Sequence, residues 1–203
     1  MVDNLNPIKA VVFDMGNVVL KVDHMIACKK FSRFSDLSKE DIFKKIIGSS
    51  LEDSLERGLI SPESFYESIS KKIGVDISFD DFSNIYNDVF STNDGMSEII
   101  FELKDKVKIM LLSNTNELHF SWVDKKFSVL KNFNQRVLSY KIGARKPEKE
   151  IFLHALDVLD LMPKETVYVD DLEEFVKASG KLGMNSILFK SPSAFRSELL
   201  KYF

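Results

Sequence analysis

The sequence predicts an α/β protein: a mainly parallel sheet with helices on both faces, and a small all-helical cap inserted after the first strand. Three observations predict it. The apolar run Lys9-Ala10-Val11-Val12-Phe13 ends abruptly in Asp14, with Gly16-Asn17 just beyond. Residues 21–92 then carry helical periodicity and no convincing strand. From Asn93 onward, short β-rich runs and amphipathic segments alternate, the pattern of strand-helix-strand crossovers in a Rossmann-like core. The expected division is a core domain of residues 1–20 and 93–203, and a cap domain of residues 21–92.

The first strand is rich in β-branched and aromatic residues, as a buried strand should be. Gly16-Asn17 tolerates the tight turn that must follow, so Asp14 sits at the carboxyl end of the strand. In open α/β sheets that edge binds ligands, and a carboxylate there serves as nucleophile or metal ligand. Five segments follow with apolar residues three or four apart: 24–34, 38–47, 51–57, 61–73 and 78–90. Ser38 and Ser61 stand as N-caps before acidic residues, the second followed by Pro62 at the first helical position. A helical insertion here is a lid or an ordinary helical subdomain, and periodicity does not separate the two.

In the second half, residues 96–104 read as a helix and 107–112 as a strand running into Ser113-Asn114. Helix 117–127 and strand 136–139 follow. Lys146-Pro147 introduces a helix whose Ile151, Phe152, Ala155, Leu156 and Leu159 share one face. Strand 166–169 ends in Asp170-Asp171, the next helix closes at Gly183, and 186–189 is the last strand. Phe195, Leu199 and Phe203 suggest a terminal helix packed back on the core.

Bulk properties narrow the function. The 203 residues can bury a substantial core, and a hydrophobic content of 44% with 29% charged residues is that of a globular protein. A net charge of -3 gives no basic field for nucleic acid. No apolar run is long enough to span a bilayer, and Met1 to Pro7 lack a basic region followed by an apolar core, so a cytoplasmic protein is expected. Cys28, the only cysteine, lies in an apolar patch and reads as a small buried hydrophobe. His24, His119 and His154 are scattered and show no zinc spacing. The oligomeric state is left open.

Parallel strands bring their carboxyl ends to one edge, so the polar residues there should converge. Ser113 and Asn114 offer a hydroxyl and an amide to the oxygens of an anion. Asp170 and Asp171 would repel unless a cation or fixed donors offset them. With Asp14 they form an oxygen-rich group suited to Mg²⁺, and Lys146 adds a point charge able to neutralise a phosphate. Each feature alone has a structural counterpart: a helix cap, a surface helix opening, a solvated acidic loop. Their order and placement together set the reading.

Asp14, Ser113, Lys146 within Gly143-Ala144-Arg145-Lys146-Pro147, and Asp170-Asp171, each after its strand, resemble the four motifs of the haloacid dehalogenase-like (HAD) superfamily. Residues 21–92 resemble its helical C1-type cap. Asp14-Met15-Gly16-Asn17-Val18 and Leu112-Ser113-Asn114-Thr115-Asn116 are similar to the subgroup containing the α-D-glucose-1-phosphate phosphatases. The resemblance implies a Mg²⁺-dependent phosphatase acting on a small phosphorylated metabolite through an aspartyl phosphate on Asp14. It also implies Mg²⁺ held by Asp14, the Gly16 carbonyl and Asp171, with Asp170 in support, and phosphoryl oxygens held by Ser113, Asn114 and Lys146.

Two positions depart from the commonest pattern. Gly16 stands where most of the phosphatases carry a second Asp as general acid and base, a device that contributes about 10²–10⁴-fold. Its absence favours leaving groups that need little protonation, such as anomeric sugar phosphates or acyl phosphates. Phe175 stands where an Asp or Asn usually orients the site; support then shifts elsewhere, with Glu173 and Glu174 as candidates, or Phe175 simply packs on the core. Lys21, Asp23 and His24 lie at the entry to the insertion, where solvation of the helix entry is the simpler role and substrate contact the alternative. Two other readings remain: a non-catalytic HAD-fold binding protein, which Phe175 favours, and a 2-haloacid dehalogenase, which has no use for Asp170-Asp171.

Overall fold

The computed structural model describes residues 8–203; Met1 to Pro7, read above for the absence of a leader, lie outside the described residues. Five parallel strands form one sheet: β1 (Ala10–Phe13), β4 (Lys108–Ser113), β5 (Gln135–Leu138), β6 (Thr166–Asp170) and β7 (Asn185–Leu188), in the order β5-β4-β1-β6-β7. β1 is central, fully buried, and flanked by β4 and β6. Its register pairs Phe13 with Leu111 and with Val169. Asp14 therefore comes level with Asp170, and its N–H donates to the Val169 carbonyl at 3.0 Å.

Alternation along the strands sorts side chains into two cores, as a period of two requires. Val11, Phe13, Leu111, Val167 and Val169 point to the face covered by the helical insert, α6 (Met96–Leu103), α7 (Glu117–Lys126) and α11 (Pro192–Leu199). Ala10, Val12, Met110, Leu112 and Tyr168 point to the other, where Ile151, Phe152, Ala155, Leu156 and Leu159 of α9 (Lys149–Leu159) pack on them. The helical face expected for α9 is the buried one. Helix α10 (Glu173–Lys181) connects β6 to β7.

Between β1 and β4 run five helices: α1 (His24–Phe31), α2 (Lys39–Ile46), α3 (Ser50–Glu56), α4 (Pro62–Ile73) and α5 (Phe79–Asn87). Ser38, Ser49, Ser61 and Ser78 each cap one of them by accepting a backbone N–H three residues on, each bond worth about 1 kcal/mol. The absence of a strand expected for this segment is corrected at both of its ends. β2 (Leu20–Val22) pairs antiparallel with β3 (Phe90–Thr92), so the insert leaves and rejoins the sheet through a two-stranded ribbon. Strands of three residues show no alternation to read, and their pairing spans the whole insert. The last insert helix accordingly stops at Asn87, ahead of β3, whereas the first stops at Phe31 because the chain turns there, Phe34 N–H donating to the Phe31 carbonyl at 2.9 Å. At the other end of the chain Phe203 is exposed, while Phe195 and Leu199 are buried.

The insert is tied to the loop that carries Lys146. Arg57, just past α3, pairs bidentately with Glu148 at 2.5 and 3.1 Å. Arg145 pairs with Asp53 and, at 2.6 Å, with Glu56. The pairs are partly exposed, so each contributes at most about 1 kcal/mol. Their shared effect is to fix α3 beside Lys146. Among the described residues no helix is long and apolar enough to cross a membrane.

Candidate active site

Asp14, Ser113, Asn114, Lys146 and Asp171 all line one cavity of about 320 Å³ at the carboxyl edge of the sheet. A larger hollow of about 620 Å³ opens at the opposite edge, near Lys9 and Lys106, and none of these residues lines it. Asp14, Asp170 and Asp171 each offer a carboxylate oxygen, all within 4.8 Å of one another. Lys146 is buried, and its Nζ donates to Asp14 Oδ1 at 2.5 Å and Asp170 Oδ2 at 2.7 Å. Three carboxylates thus face one ammonium, leaving two negative charges for a divalent cation to balance. The donors are hard oxygens, which suits Mg²⁺.

Burial governs the protonation of these groups. It pushes the Asp14 carboxyl up to about 7, opposed by the Lys146 charge. Lys146 feels the same burial in the opposite sense, but Asp14 and Asp170 outweigh it and hold its ammonium above the ordinary value. The Asp171 carboxyl is raised by burial and by the charge of Asp170. Asp170 is the most enclosed of the three: besides Lys146 it accepts from the Tyr168 hydroxyl, and from Leu172 N–H at 2.9 Å. An arrangement of this kind acts electrostatically, with charges fixed before any substrate arrives.

Asn114 has a second duty. Its side chain accepts from Lys146 N–H at 2.8 Å and donates to the Lys146 carbonyl at 2.9 Å. The amide is thereby committed to holding the lysine backbone, across a Lys146-Pro147 peptide that is cis. The helix that Lys146-Pro147 introduces begins only at Lys149. Ser113 lies buried at the end of β4, its hydroxyl 3.3 Å from the Asn114 carbonyl.

The expected support from Glu173 or Glu174 is corrected. Both are exposed, and Glu173 pairs with Lys177 at 2.9 Å. Asp171 instead accepts from Asn17 Nδ2 at 3.2 Å, while Asn17 Oδ1 accepts from Val22 N–H at 3.1 Å. Asn17 holds φ at 55°, a left-handed backbone that Asn tolerates better than most residues. The signal was present in Gly16-Asn17, read only as turn formers. Phe175 is no mere core residue: it lines the cavity, with its ring centroid 5.1 Å from Lys146 Nζ. Gly16 has room for a side chain, since a Cβ there would meet Val22 Cγ2 at 3.4 Å.

The wall opposite the strand ends comes from the insert and α7: His24, Ile47, Glu52, Glu56, Phe90 and His119. Asp23 caps α1 through Met25 N–H at 2.9 Å, and Lys21 is exposed, so of the three entry residues only His24 lines the cavity. His24 and His119 meet with ring centroids 6.3 Å apart, and burial lowers both below the ordinary histidine value. Glu56 and His119 carried no sequence signal, because each reads as an ordinary position in an amphipathic helix, and Glu52, three residues after Ser49, reads only as a helix-start residue.

The haloacid dehalogenase-like hydrolase family model matches residues 11–189. The chain belongs to that family. A D-ribitol-5-phosphate phosphatase of Bacteroides thetaiotaomicron is 26% identical over 199 residues, covering 95% of this chain and 97% of that one. A sesquiterpene phosphatase of Aspergillus oryzae is 27% identical over 188 residues, 87% of each chain. The structure of a HAD family enzyme of Bacteroides thetaiotaomicron, in complex with magnesium and inorganic phosphate, superposes with a TM-score of 0.82 at 28% identity, covering 91% of this chain and 95% of that one.

Proposed function

We propose that this HAD-family hydrolase is a Mg²⁺-dependent phosphatase of a small phosphorylated metabolite, working through an aspartyl phosphate on Asp14, with residues 21–92 as a cap over a core of 1–20 and 93–203. The observation that carries the reading is the single buried ammonium of Lys146 shared between Asp14 and Asp170 beside a third carboxylate. The phosphatase relatives and the magnesium- and phosphate-bound neighbour support it.

One Asp14 oxygen attacks phosphorus as the bond to the leaving oxygen breaks; water then attacks the aspartyl phosphate, releasing inorganic phosphate and restoring the carboxylate. Ser113 Oγ–H, the Asn114 peptide N–H and Lys146 hold the phosphoryl oxygens, and the Asn114 side chain keeps Lys146 in position. Asp14, the Gly16 carbonyl and Asp171 would hold Mg²⁺, with Asp170 behind them; the ion supplies neutralisation of phosphoryl charge. With Gly16 in place of an acid, sugar 1-phosphates and acyl phosphates are the preferred esters. The non-catalytic alternative keeps Phe175 in its favour, but a binding module has no need of a buried nucleophile. The three-carboxylate group tells against a dehalogenase.

Phosphate release from a panel of sugar, nucleotide and acyl phosphates tests this. Turnover should require Mg²⁺, stop on chelation, and fall by at least about 10⁴-fold in Asp14→Asn. No release from any ester by folded protein would transfer the reading to the binding protein. Equal rates on an alkyl phosphate and a sugar 1-phosphate would remove the role given to Gly16.

A further inference from the structure

The strand-end floor has a support beneath it. Alternation puts Thr166, Tyr168 and Asp170 on one face of β6, the face that α9 covers. Tyr168 is fully buried there, with its ring edge-on to Phe152 at a centroid distance of 5.3 Å. Packing that ring needs no hydroxyl, since a phenyl group would fill the same space. The hydroxyl has one hydrogen-bond partner among the described residues, and it is Asp170 Oδ2.

Asp170 is held at both oxygens. Oδ1 accepts Leu172 N–H at 2.9 Å, and Oδ2 accepts the Tyr168 hydroxyl together with Lys146 Nζ at 2.7 Å. An aspartate carboxylate otherwise turns broadly about its last torsion, and the lysine it holds is a point charge on a flexible four-carbon stem. Among the described residues the ammonium donates to two groups only, Asp14 and Asp170. Phe175 comes within 5.1 Å of Nζ but presents a ring, not an oxygen. When Asp14 bonds to phosphorus its carboxylate becomes an acyl ester and loses its charge. Asp170 is then the one carboxylate left to anchor Lys146.

We propose that Tyr168 is a positioning residue for phosphoryl transfer: its hydroxyl fixes Asp170, and Asp170 keeps the Lys146 ammonium on the phosphoryl oxygens once Asp14 has reacted. The inference rests on the phosphatase reading above and adds to it a residue that does not line the cavity. A hydrogen bond to an ionised acceptor is about twice as strong as one between neutral groups. Its effect falls on the reacting complex and not on the ground state, where Asp14 still shares the ammonium. The role therefore shows in kcat and leaves KM in place.

Tyr168→Phe tests it, because the variant removes the hydroxyl and keeps the ring. With Mg²⁺ and the best ester of the panel, its kcat should fall at least about fivefold while KM stays within about twofold of the wild type. Phe152→Leu loosens the same ring from its apolar side; it should lower the melting temperature and leave kcat within about twofold. A smaller fall in Tyr168→Phe, a loss carried by KM instead, or an equal fall in Phe152→Leu would overturn the assignment. If no ester turns over, the phosphatase reading fails. Calorimetric titration of fluoroberyllate into the Mg²⁺-loaded protein then decides the inference, since that probe bonds to a carboxylate oxygen as a phosphoryl group does. Binding at least about fivefold weaker in Tyr168→Phe supports it; a smaller difference, or no binding by the wild type, overturns it.

Discussion

The two sides of the cavity treat buried charge in opposite ways. On the strand-end floor each charged side chain has a hydrogen-bond partner, although the group keeps two negative charges in excess: Lys146 has Asp14 and Asp170, Asp170 also has Tyr168 and Leu172 N–H, and Asp171 has Asn17. On the wall, burial and the like charge of Glu56 act on Glu52 more strongly than the Gly48 N–H, the Arg145 charge and the Tyr86 hydroxyl that favour its carboxylate. The floor is electrostatically prepared for chemistry. On the wall, the burial of Glu52 costs stability that its bond to Gly48 N–H at the start of α3 offsets only in part.

The comparison breaks most sharply at Lys146. Lys146→Met leaves Asp14 and Asp170 buried without their cation, and should cost about 3–5 kcal/mol of unfolding free energy at pH 7 in urea denaturation. A loss below about 1 kcal/mol would mean that the floor does not depend on that ammonium.

Glu52 should respond with the opposite sign. Its folded carboxyl titrates near 7 against an ordinary 4.5, so the folded state holds the proton more tightly than the unfolded chain. Stability therefore falls as pH rises between those values, and the penalty is absent below them and complete above. It amounts to about 3 kcal/mol at pH 8. Glu52→Gln should recover most of that at pH 8 and little at pH 4; thermal melts that shift equally at both pH values would show that the wall is not under this strain.

The smallest effect sharpens the floor. Asn17→Gly keeps the left-handed backbone but removes the amide that holds Asp171. Mg²⁺ affinity should drop about tenfold by calorimetry. An unchanged affinity would limit Asn17 to shaping the turn.

Much of the floor was legible in the chain. Asp14, Ser113, Lys146, Asp170 and Asp171 each follow an apolar run or a helix opening, and parallel pairing brings such ends to one edge whatever the details of packing. The α9 face and the serine caps were legible for the same reason, since both are set by neighbours a few residues away. Asn17 was partly visible, as a turn residue whose partner Asp171 lies far along the chain.

The sequence by itself determined which residues stand at the carboxyl edge and what charge they bring, because strand alternation and connection handedness are local rules. Only the tertiary structure decided that β2 and β3 pair across the insert, that the Asn114 side chain holds the Lys146 backbone, and that Phe175 faces Lys146. It alone brought Glu52, Glu56, His24 and His119 to one wall. Those contacts depend on how α1, α3 and α7 pack against one another and on the ion pairs that fix α3 to the Lys146 loop, and helical periodicity sets which face of a helix is buried, not which neighbour it meets.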